Sequence, residues 1–144
     1  MNSIKIKSLG SSEFCLPTQG SSSAAGWDLR VIQKQIFYPR DLCKVPLGFA
    51  TELPKDTYAM LTMRSGLASK GLTLVNAPGI IDADYRGEWT LLIYNISVTA
   101  IVLIPGDRIA QAILHEVLPV RWEPGFRLPR TKRDKGGFGS TGNK

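Results

Sequence analysis

Short stretches of the chain alternate apolar and polar residues, the pattern of a β-strand that buries one of its two faces. In the clearest stretch, 58–63, the odd-numbered side chains are apolar and would point into a core, and the even-numbered ones would point away. The pattern occurs at residues 4–6, 31–37, 45–49, 58–63 and 90–96. It predicts a protein built from several short strands.

Turn-forming residues separate these stretches at 39–41, 54–56, 77–79 and 105–107. Proline fixes φ and glycine permits positive φ, so such groups favour tight turns. Short strands joined by turns are typical of an antiparallel sandwich or barrel. The sequence lacks sustained helical periodicity, and the one helical turn that we predict begins near Ser65, since serine is a favourable helix N-cap. We therefore expect an all-β protein.

The pattern changes near the C-terminus, where prolines and glycines replace large apolar residues. Five of the nine residues 127–135 are Lys or Arg, and a glycine-rich segment follows at 136–142. We predict a β domain at 1–125 that continues into a flexible, extended arm at 126–144. Taken alone, the basic run is equally compatible with a solvated tail or with a tail that binds nucleic acid.

Net charge and composition limit the range of functions that the protein could have. The net charge of +6 predicts an anionic ligand or partner. The apolar stretches are too short to cross a bilayer and the N-terminus lacks an apolar signal region, so we expect a soluble, cytoplasmic protein with no membrane partner. His115 is the only histidine, so a histidine-based catalytic triad or a metal site with several histidine ligands is not expected.

Two segments combine groups that could act on phosphates. Residues 64–66, Arg-Ser-Gly, would bring a guanidinium, a hydroxyl and the first amides of a helix together. Residues 79–88 place Asp82 in a tight loop between strands, where its carboxylate could act as a general base. Taken alone, residues 64–66 are more commonly a plain helix cap, and residues 79–88 could be a solvated turn.

Two further segments offer hydrogen-bond donors. Gln111 lies on a strand that follows the turn at 105–107 and could donate from its amide to a ligand. The glycine-rich segment 136–142 has free backbone amides that could cradle phosphates, and its Phe138 could stack on a base. An ordinary strand and a flexible tail remain the alternatives for these segments.

Taken together, five segments resemble the five motifs of the trimeric dUTPase family, in the same order and with similar spacing. The resemblance covers nearly the whole chain. It implies a jelly-roll (β-clip) fold, with one short helix and the C-terminal arm, that assembles as a homotrimer. The segments are AAGWDL (24–29), RSGLASKGL (64–72), NAPGIIDADYRGE (76–88), GDRIAQ (106–111) and GGFGSTG (136–142).

The resemblance implies an enzyme that hydrolyses dUTP to dUMP and pyrophosphate with Mg²⁺. By this resemblance, Asp28 would help to hold Mg²⁺ through coordinated water. Arg64, Ser65 and Gly66 would contact the phosphates, with Ser65 near the oxygen that bridges the scissile and leaving phosphates. Asp82 would be the general base that activates water for in-line attack on the α-phosphorus.

The third and fourth motifs imply the nucleoside pocket. Asn76 and the backbone from Gly79 through Ile80 and Ile81 to Asp82 would read the uracil edge and leave no room for a thymine methyl. Tyr85 would pack on the deoxyribose and exclude a ribose hydroxyl, and Gln111 would add an amide near the phosphates. Discrimination would thus come largely from exclusion.

In the fifth motif, Arg133 lands in the γ-phosphate position, and Asp134 stands where the family usually has glycine. A negative charge close to the triphosphate makes arm closure harder. The remaining substrate-binding residues of this motif would form a lid over the bound nucleotide, crossing from one subunit to another. They are Phe138, which would stack on the uracil, and Gly139, Ser140 and Thr141, which with Gly142 would wrap the phosphates.

The resemblance places the protein in nucleotide-pool sanitation and dUMP supply for thymidylate synthesis. Three alternatives remain. A dCTP deaminase shares the fold but attacks the cytosine ring. A regulatory protein could keep the nucleotide site as a switch. A nucleic-acid-binding module would need aromatic residues spread over a sheet face, so we expect no specific nucleic-acid partner.

Overall fold

The computed structural model of the chain describes residues 3–10 and 14–137. Strands dominate these ranges, and every strand pairing among them is antiparallel. The all-β prediction is therefore confirmed. The elements are β1 Lys5–Ser8, β2 Thr18–Gln19, β3 Trp27–Arg30, β4 Gln35–Phe37, β5 Leu42–Pro46, β6 Phe49–Glu52, β7 Thr57–Met63, α1 Ser65–Ala68, β8 Leu72–Leu74, β9 Gly79–Asp82, β10 Thr90–Asn95, β11 Ile101–Leu103 and β12 Arg108–Glu116.

The strands form four sheets around one apolar core. The largest sheet has the order β2-β3-β12-β7-β9, a second has the order β5-β10-β8, and β1-β6 and β11-β4 are two-stranded. Leu29, Phe37, Phe49 and Ile93 are among the fully buried side chains, each contributing about 1.5–3 kcal/mol on burial. Because β12 lies between β3 and β7, it brings three segments that are distant in sequence to one sheet.

The largest sheet has a core face and an open face, because successive side chains of a strand point to opposite sides. On β7, Leu61 is buried in the core whereas Thr62 points to the open face. The register pairs Gln111 with both Thr62 and Asp28. Asp82, on the edge strand β9, lies on the same face at the opposite end of β7. The open face therefore carries the polar residues of four strands.

Two predicted strands differ from those observed. The stretch 45–49 is not continuous, because Gly48 has φ +77° and interrupts it between β5 and β6. A side chain rarely adopts that backbone conformation, so glycine allows the chain to change sheets here. Of the stretch 31–37, only Gln35–Phe37 is strand. The predictions at 58–63 and 90–96 are confirmed as β7 and β10.

The helix α1 begins at Ser65, as predicted, but its N-cap is Arg64. The expectation that serine caps the helix was therefore wrong. The Arg64 carbonyl accepts hydrogen bonds from the amides of Leu67 (3.0 Å) and Ala68 (2.9 Å). Ser65 is exposed, so its hydroxyl is open to solvent next to Arg64.

The core ends with β12, and residues 117–137 contain no helix or strand. Apolar side chains in this segment are exposed, and Trp122 retains 92% of its accessible surface. The predicted division between a domain at 1–125 and an arm at 126–144 stays a prediction. In the part of the chain described, no helix is long and apolar enough to span a membrane.

Candidate functional site

A pocket of about 180 Å³ lies between the start of β9 and the turn that follows it. We call it the hairpin pocket. Its floor is apolar, from Leu61 and Leu74, and Asp82 lies at its rim with an exposed side chain. Six residues that the sequence assigned to the nucleoside pocket line it together: Asn76, Gly79, Ile80, Ile81, Asp82 and Tyr85.

Tyr85 is held by the turn that closes the hairpin pocket. Its amide donates to the Asp82 carbonyl (3.1 Å) and its hydroxyl donates to the Glu88 carbonyl (3.2 Å). The ring folds over Gly87, where any Cβ atom would collide with the phenol. Gly87 thus leaves room for the Tyr85 ring, a role that sequence reasoning missed although its position two residues after that tyrosine was the available signal.

A second group of polar residues lies near the opposite end of β7, and we call it the arginine cluster. Asp28 is 6% exposed, and its Oδ1 accepts a hydrogen bond from Nη1 of Arg64. Its Oδ2 accepts from Nη1 of Arg108 at 3.3 Å. A buried carboxylate needs such partners, because removing an unpaired charge from water is costly. Arg108 was not among the residues singled out from the sequence.

Gln111 adjoins the arginine cluster. It is paired in register with Asp28, and its side chain lies over Gly26, where an added Cβ would come within 2.7 Å of Oε1. A side chain at position 26 would therefore displace the amide. Gly66 has open space around it and, with Ser65, follows Arg64 at the start of α1. Four of the residues assigned to phosphate contact, Arg64, Ser65, Gly66 and Gln111, thus lie together at this end of the sheet.

Asp82, at the rim of the hairpin pocket, and Arg64, of the arginine cluster, are far apart within one chain. Asp82 pairs with Tyr58 at the start of β7, whereas Arg64 directly follows the end of that strand. Six residue-to-residue steps of extended chain lead from Tyr58 to Arg64, which corresponds to roughly 20 Å. Hydrogen bonds to a phosphate require heavy-atom distances of about 3 Å. Ser65 and Asp82 of the same chain therefore cannot act on the same phosphate.

The described part of the arm forms a tight turn. The amide of Gly136 donates to the Arg133 carbonyl (2.8 Å), and Arg133 Nε donates to the Gly136 carbonyl (3.0 Å). Asp134 has φ +44°, a left-handed conformation that costs a non-glycine residue roughly 1–2 kcal/mol. Glycine would adopt it without strain. The predicted contacts of Phe138, Gly139, Ser140 and Thr141 lie outside the described residues.

The acidic residues limit how a metal ion could bind. Within residues 3–10 and 14–137, no group of three or more His, Cys, Asp or Glu side chains could hold one. Asp28 already accepts from two guanidinium groups, so its surroundings repel a bare cation. Mg²⁺ usually keeps several waters and binds through one or two carboxylates and substrate phosphates. The residues therefore fit an ion that arrives with an anionic ligand.

Comparisons with known proteins agree on one family. A model of the dUTPase family matches residues 12–142. The deoxyuridine 5'-triphosphate nucleotidohydrolase of Desulfotalea psychrophila is 44% identical over 130 residues, which is 88% of this chain and 87% of that protein. The protein of the same name from Rickettsia akari is 39% identical over 142 residues, which is 96% of each chain.

Solved structures show the same fold at lower identity. A variant of the dUTPase of Staphylococcus bacteriophage 80alpha, solved with dUpNHpp, has a TM-score of 0.89 and 21% identity over 99% of both chains. A variant dUTPase of phage phi11 of S. aureus, described with a structural Mg(II) ion, has a TM-score of 0.80 and 18% identity over 90% of this chain and 100% of that one. These likenesses confirm the fold class expected from the sequence.

Proposed function

The chain belongs to the dUTPase family, and on this premise we propose that it hydrolyses dUTP to dUMP and pyrophosphate. The observation that carries the proposal is the hairpin pocket, with an apolar floor, a polar rim and an exposed Asp82 beside it. Its volume of about 180 Å³ would limit it to a small part of a nucleotide, such as the base. The arginine cluster complements this pocket, because its guanidinium groups offer the positive charges that would bind a triphosphate.

In the proposed reaction, Asp82 accepts a proton from a water molecule as the water oxygen attacks the α-phosphorus. The bond from that phosphorus to the oxygen bridging the α- and β-phosphates breaks, and pyrophosphate leaves with the bonding electrons. An aspartate carboxylate is ordinarily charged at neutral pH, so it can act as a base directly. Negative charge grows on the bridging oxygen, where the Ser65 hydroxyl and Arg64 would stabilise it.

Mg²⁺ fits this reaction as an ion carried by the substrate. Asp28 would hold it through coordinated water, and the bound ion would neutralise part of the charge on the phosphates. Gln111 would keep an amide near the same phosphates. Arg133 would approach the γ-phosphate when the arm closes, and the arm would close less readily because of the charge on Asp134.

Selection for deoxyuridine would come from the fixed walls of the hairpin pocket. Backbone groups of Gly79, Ile80 and Ile81, with the amide of Asn76, would hydrogen-bond the uracil edge and leave no space for a methyl group. The Tyr85 hydroxyl donates to the Glu88 carbonyl (3.2 Å), and this bond would hinder the ring from moving aside for a ribose hydroxyl. A rigid wall of this kind discriminates by exclusion.

The separation of roughly 20 Å between Asp82 and Arg64 along β7 supports a site assembled from two half-sites, one from each of two copies of the chain. Asp82 and the hairpin pocket would come from one subunit, and Ser65 and the arginine cluster from another. Closed, symmetric assembly then gives every subunit one of each half. We propose a homotrimer, in which the arm of a subunit reaches a site formed by its neighbours.

Exposed apolar surface also supports assembly. An apolar groove of about 290 Å³ is lined mainly by residues near β1, β2 and β12, including Ile4, Leu16 and Trp27. Trp122 and Leu118, on the segment after β12, are largely exposed in the single chain. Such surface is unfavourable in water and marks a contact region. A second copy of the chain would cover it.

Substrate selectivity tests the proposal. We expect the full-length protein with Mg²⁺ to release pyrophosphate from dUTP, and little or none from dTTP, dCTP or UTP. A coupled assay for pyrophosphate and a separate assay for ammonia distinguish the candidates. Ammonia from dCTP would identify a deaminase instead, and binding of dUTP without turnover would favour the regulatory alternative. Selective cleavage of dUTP would suit nucleotide-pool sanitation and dUMP supply in the cytoplasm.

A further inference from the structure

The Glu88 side chain connects the hairpin pocket, which it helps to line, to the junction between β5 and β6. Its Oε1 accepts a hydrogen bond from the Gly48 amide at 2.8 Å. Gly48 is buried, and a buried amide needs an acceptor within the protein because water cannot reach it. The Glu88 carboxylate supplies that acceptor from 40 positions further along the sequence.

The main chain beside Glu88 is bonded to the same junction. The Leu47 amide donates to the Trp89 carbonyl (2.9 Å), and the Trp89 amide donates to the Phe49 carbonyl (3.0 Å). Together with the bond from Gly48, these contacts join three consecutive residues of the junction to two consecutive residues ahead of β10. Glu88 is therefore the residue at which the buried core meets the turn of the hairpin pocket.

The Tyr85 ring lies on the backbone that Glu88 anchors. Its hydroxyl donates to the Glu88 carbonyl at 3.2 Å, and the phenol lies so close to Gly87 that an added Cβ would collide with it. Tyr85 is 44% exposed, so packing against the core does not by itself fix the ring. The position of the ring thus depends on the position of the 87–88 backbone.

We infer that Glu88 is a positioning residue for Tyr85 and, through Tyr85, a determinant of selectivity for the sugar. The inference rests on the proposed function, in which the Tyr85 ring excludes a ribose hydroxyl. A wall excludes a ligand only when moving the wall costs free energy. The bond between Glu88 and Gly48 supplies that cost, because a shift of the 87–88 backbone would leave a buried amide without its acceptor.

The test compares Glu88→Ala with Glu88→Gln in the full-length protein with Mg²⁺. We expect Glu88→Ala to lower the ratio of kcat/KM for dUTP to kcat/KM for UTP by about tenfold, the lower end of what a pocket gains from one group. Most of the change should come from faster cleavage of UTP. Glu88→Gln keeps an oxygen that can accept from the Gly48 amide, so it should recover most of the wild-type selectivity.

Ser97→Ala is the matched control. Ser97 lies beyond the other end of β10, where its hydroxyl donates to Asn95 Oδ1 at 2.7 Å, and it does not line the hairpin pocket. The unfolding midpoint should fall in Ser97→Ala and in Glu88→Ala, because each loses a hydrogen bond that anchors a turn. The ratio of dUTP to UTP cleavage should change by at most about twofold in the control, since distant sites act independently.

Tyr85→Phe tests the route through the hydroxyl. It frees the ring from the Glu88 carbonyl, so selectivity should fall. In the double variant with Glu88→Ala, the loss should be smaller than the product of the two separate losses, because residues that act through one another are coupled. A loss equal to that product would overturn the inference. Where Glu88→Ala fails to fold, Tyr85→Phe decides, and wild-type selectivity in that variant would overturn the inference.

Two further results would overturn it: wild-type selectivity in a folded Glu88→Ala, or an equal loss of selectivity in Ser97→Ala. Hydrogen exchange of residues 83–90 without nucleotide separates this inference from the proposed function. Exchange should be faster in Glu88→Ala than in the wild type and Glu88→Gln, and equal rates would contradict the positioning role. If the wild-type protein does not cleave dUTP, the proposed function fails, while faster exchange in Glu88→Ala still supports that role.

Discussion

Replacing Asp82 by asparagine is expected to lower kcat for dUTP by about 100-fold or more, the usual contribution of a general base. The amide keeps the size and hydrogen-bonding capacity of the side chain but cannot accept a proton from water. Asp82 is exposed at the rim of the hairpin pocket, so the substitution should leave the fold intact. Affinity for a non-hydrolysable dUTP analogue should change little, because in the proposed mechanism the carboxylate acts on the water and not on the nucleotide.

Asp84→Asn is the matched control for that experiment. Asp84 lies two residues further along the same turn, is exposed, and does not line the hairpin pocket. The control should keep kcat within about twofold of the wild type, since removal of an exposed surface charge has a small effect. Steady-state kinetics with measured oligomer mass suffice. Equal kcat values for the two variants would remove Asp82 from the role of base.

Truncation before Gly136 is expected to lower kcat/KM for dUTP by about 100-fold, because loss of groups that enclose and position the substrate has effects of this size. The truncation removes the segment that would stack on the uracil and wrap the phosphates. The fold should be unaffected: the core ends with β12, and residues 117–137 contain no helix or strand. The unfolding midpoint and oligomer mass should therefore match those of the full chain.

Removal of residues 143–144 alone is the control for the truncation, since it shortens the chain but keeps the whole fifth motif. Phe138→Ala separates the aromatic contribution from that of the backbone amides, and it should retain more activity than the truncation. If the shortened protein unfolds or loses its oligomeric state, the arm has a structural function and its proposed role as a lid is wrong.

Regular alternation made much of the fold predictable from the sequence. β7 and β10 follow the period of two because each buries one face against the core. That the residues assigned to the nucleoside pocket line one pocket was also predictable, because they are close in sequence, in the strand β9 and the turns on either side of it. Local sequence determines such a hairpin, so a motif alone brings Asn76, Asp82 and Tyr85 together.

Features that depend on tertiary pairing could not be read from the pattern. β3 was not predicted, because the charged Asp28 interrupts the apolar pattern of its residues. The Asp28 carboxylate can be buried only because Arg64 and Arg108, from other segments of the chain, pair with it. Arg108 was missed because strand alternation assigns it to the core side, and a bulge is visible only once the partner strand is known. The distance between Asp82 and Arg64 likewise follows from the register of β9 on β7.

Subunit complementation tests most directly whether each site is shared between chains. By the proposed mechanism, Asp82→Asn and Ser65→Ala would each remove a group that catalysis needs, one from each half of the site, so each variant alone should be nearly inactive. In randomly mixed oligomers, about one site in four takes both intact halves from different subunits. We predict that co-refolding equal amounts restores about a quarter of the wild-type kcat per site. Activity equal to the mean of the two separate variants would contradict a site assembled between chains.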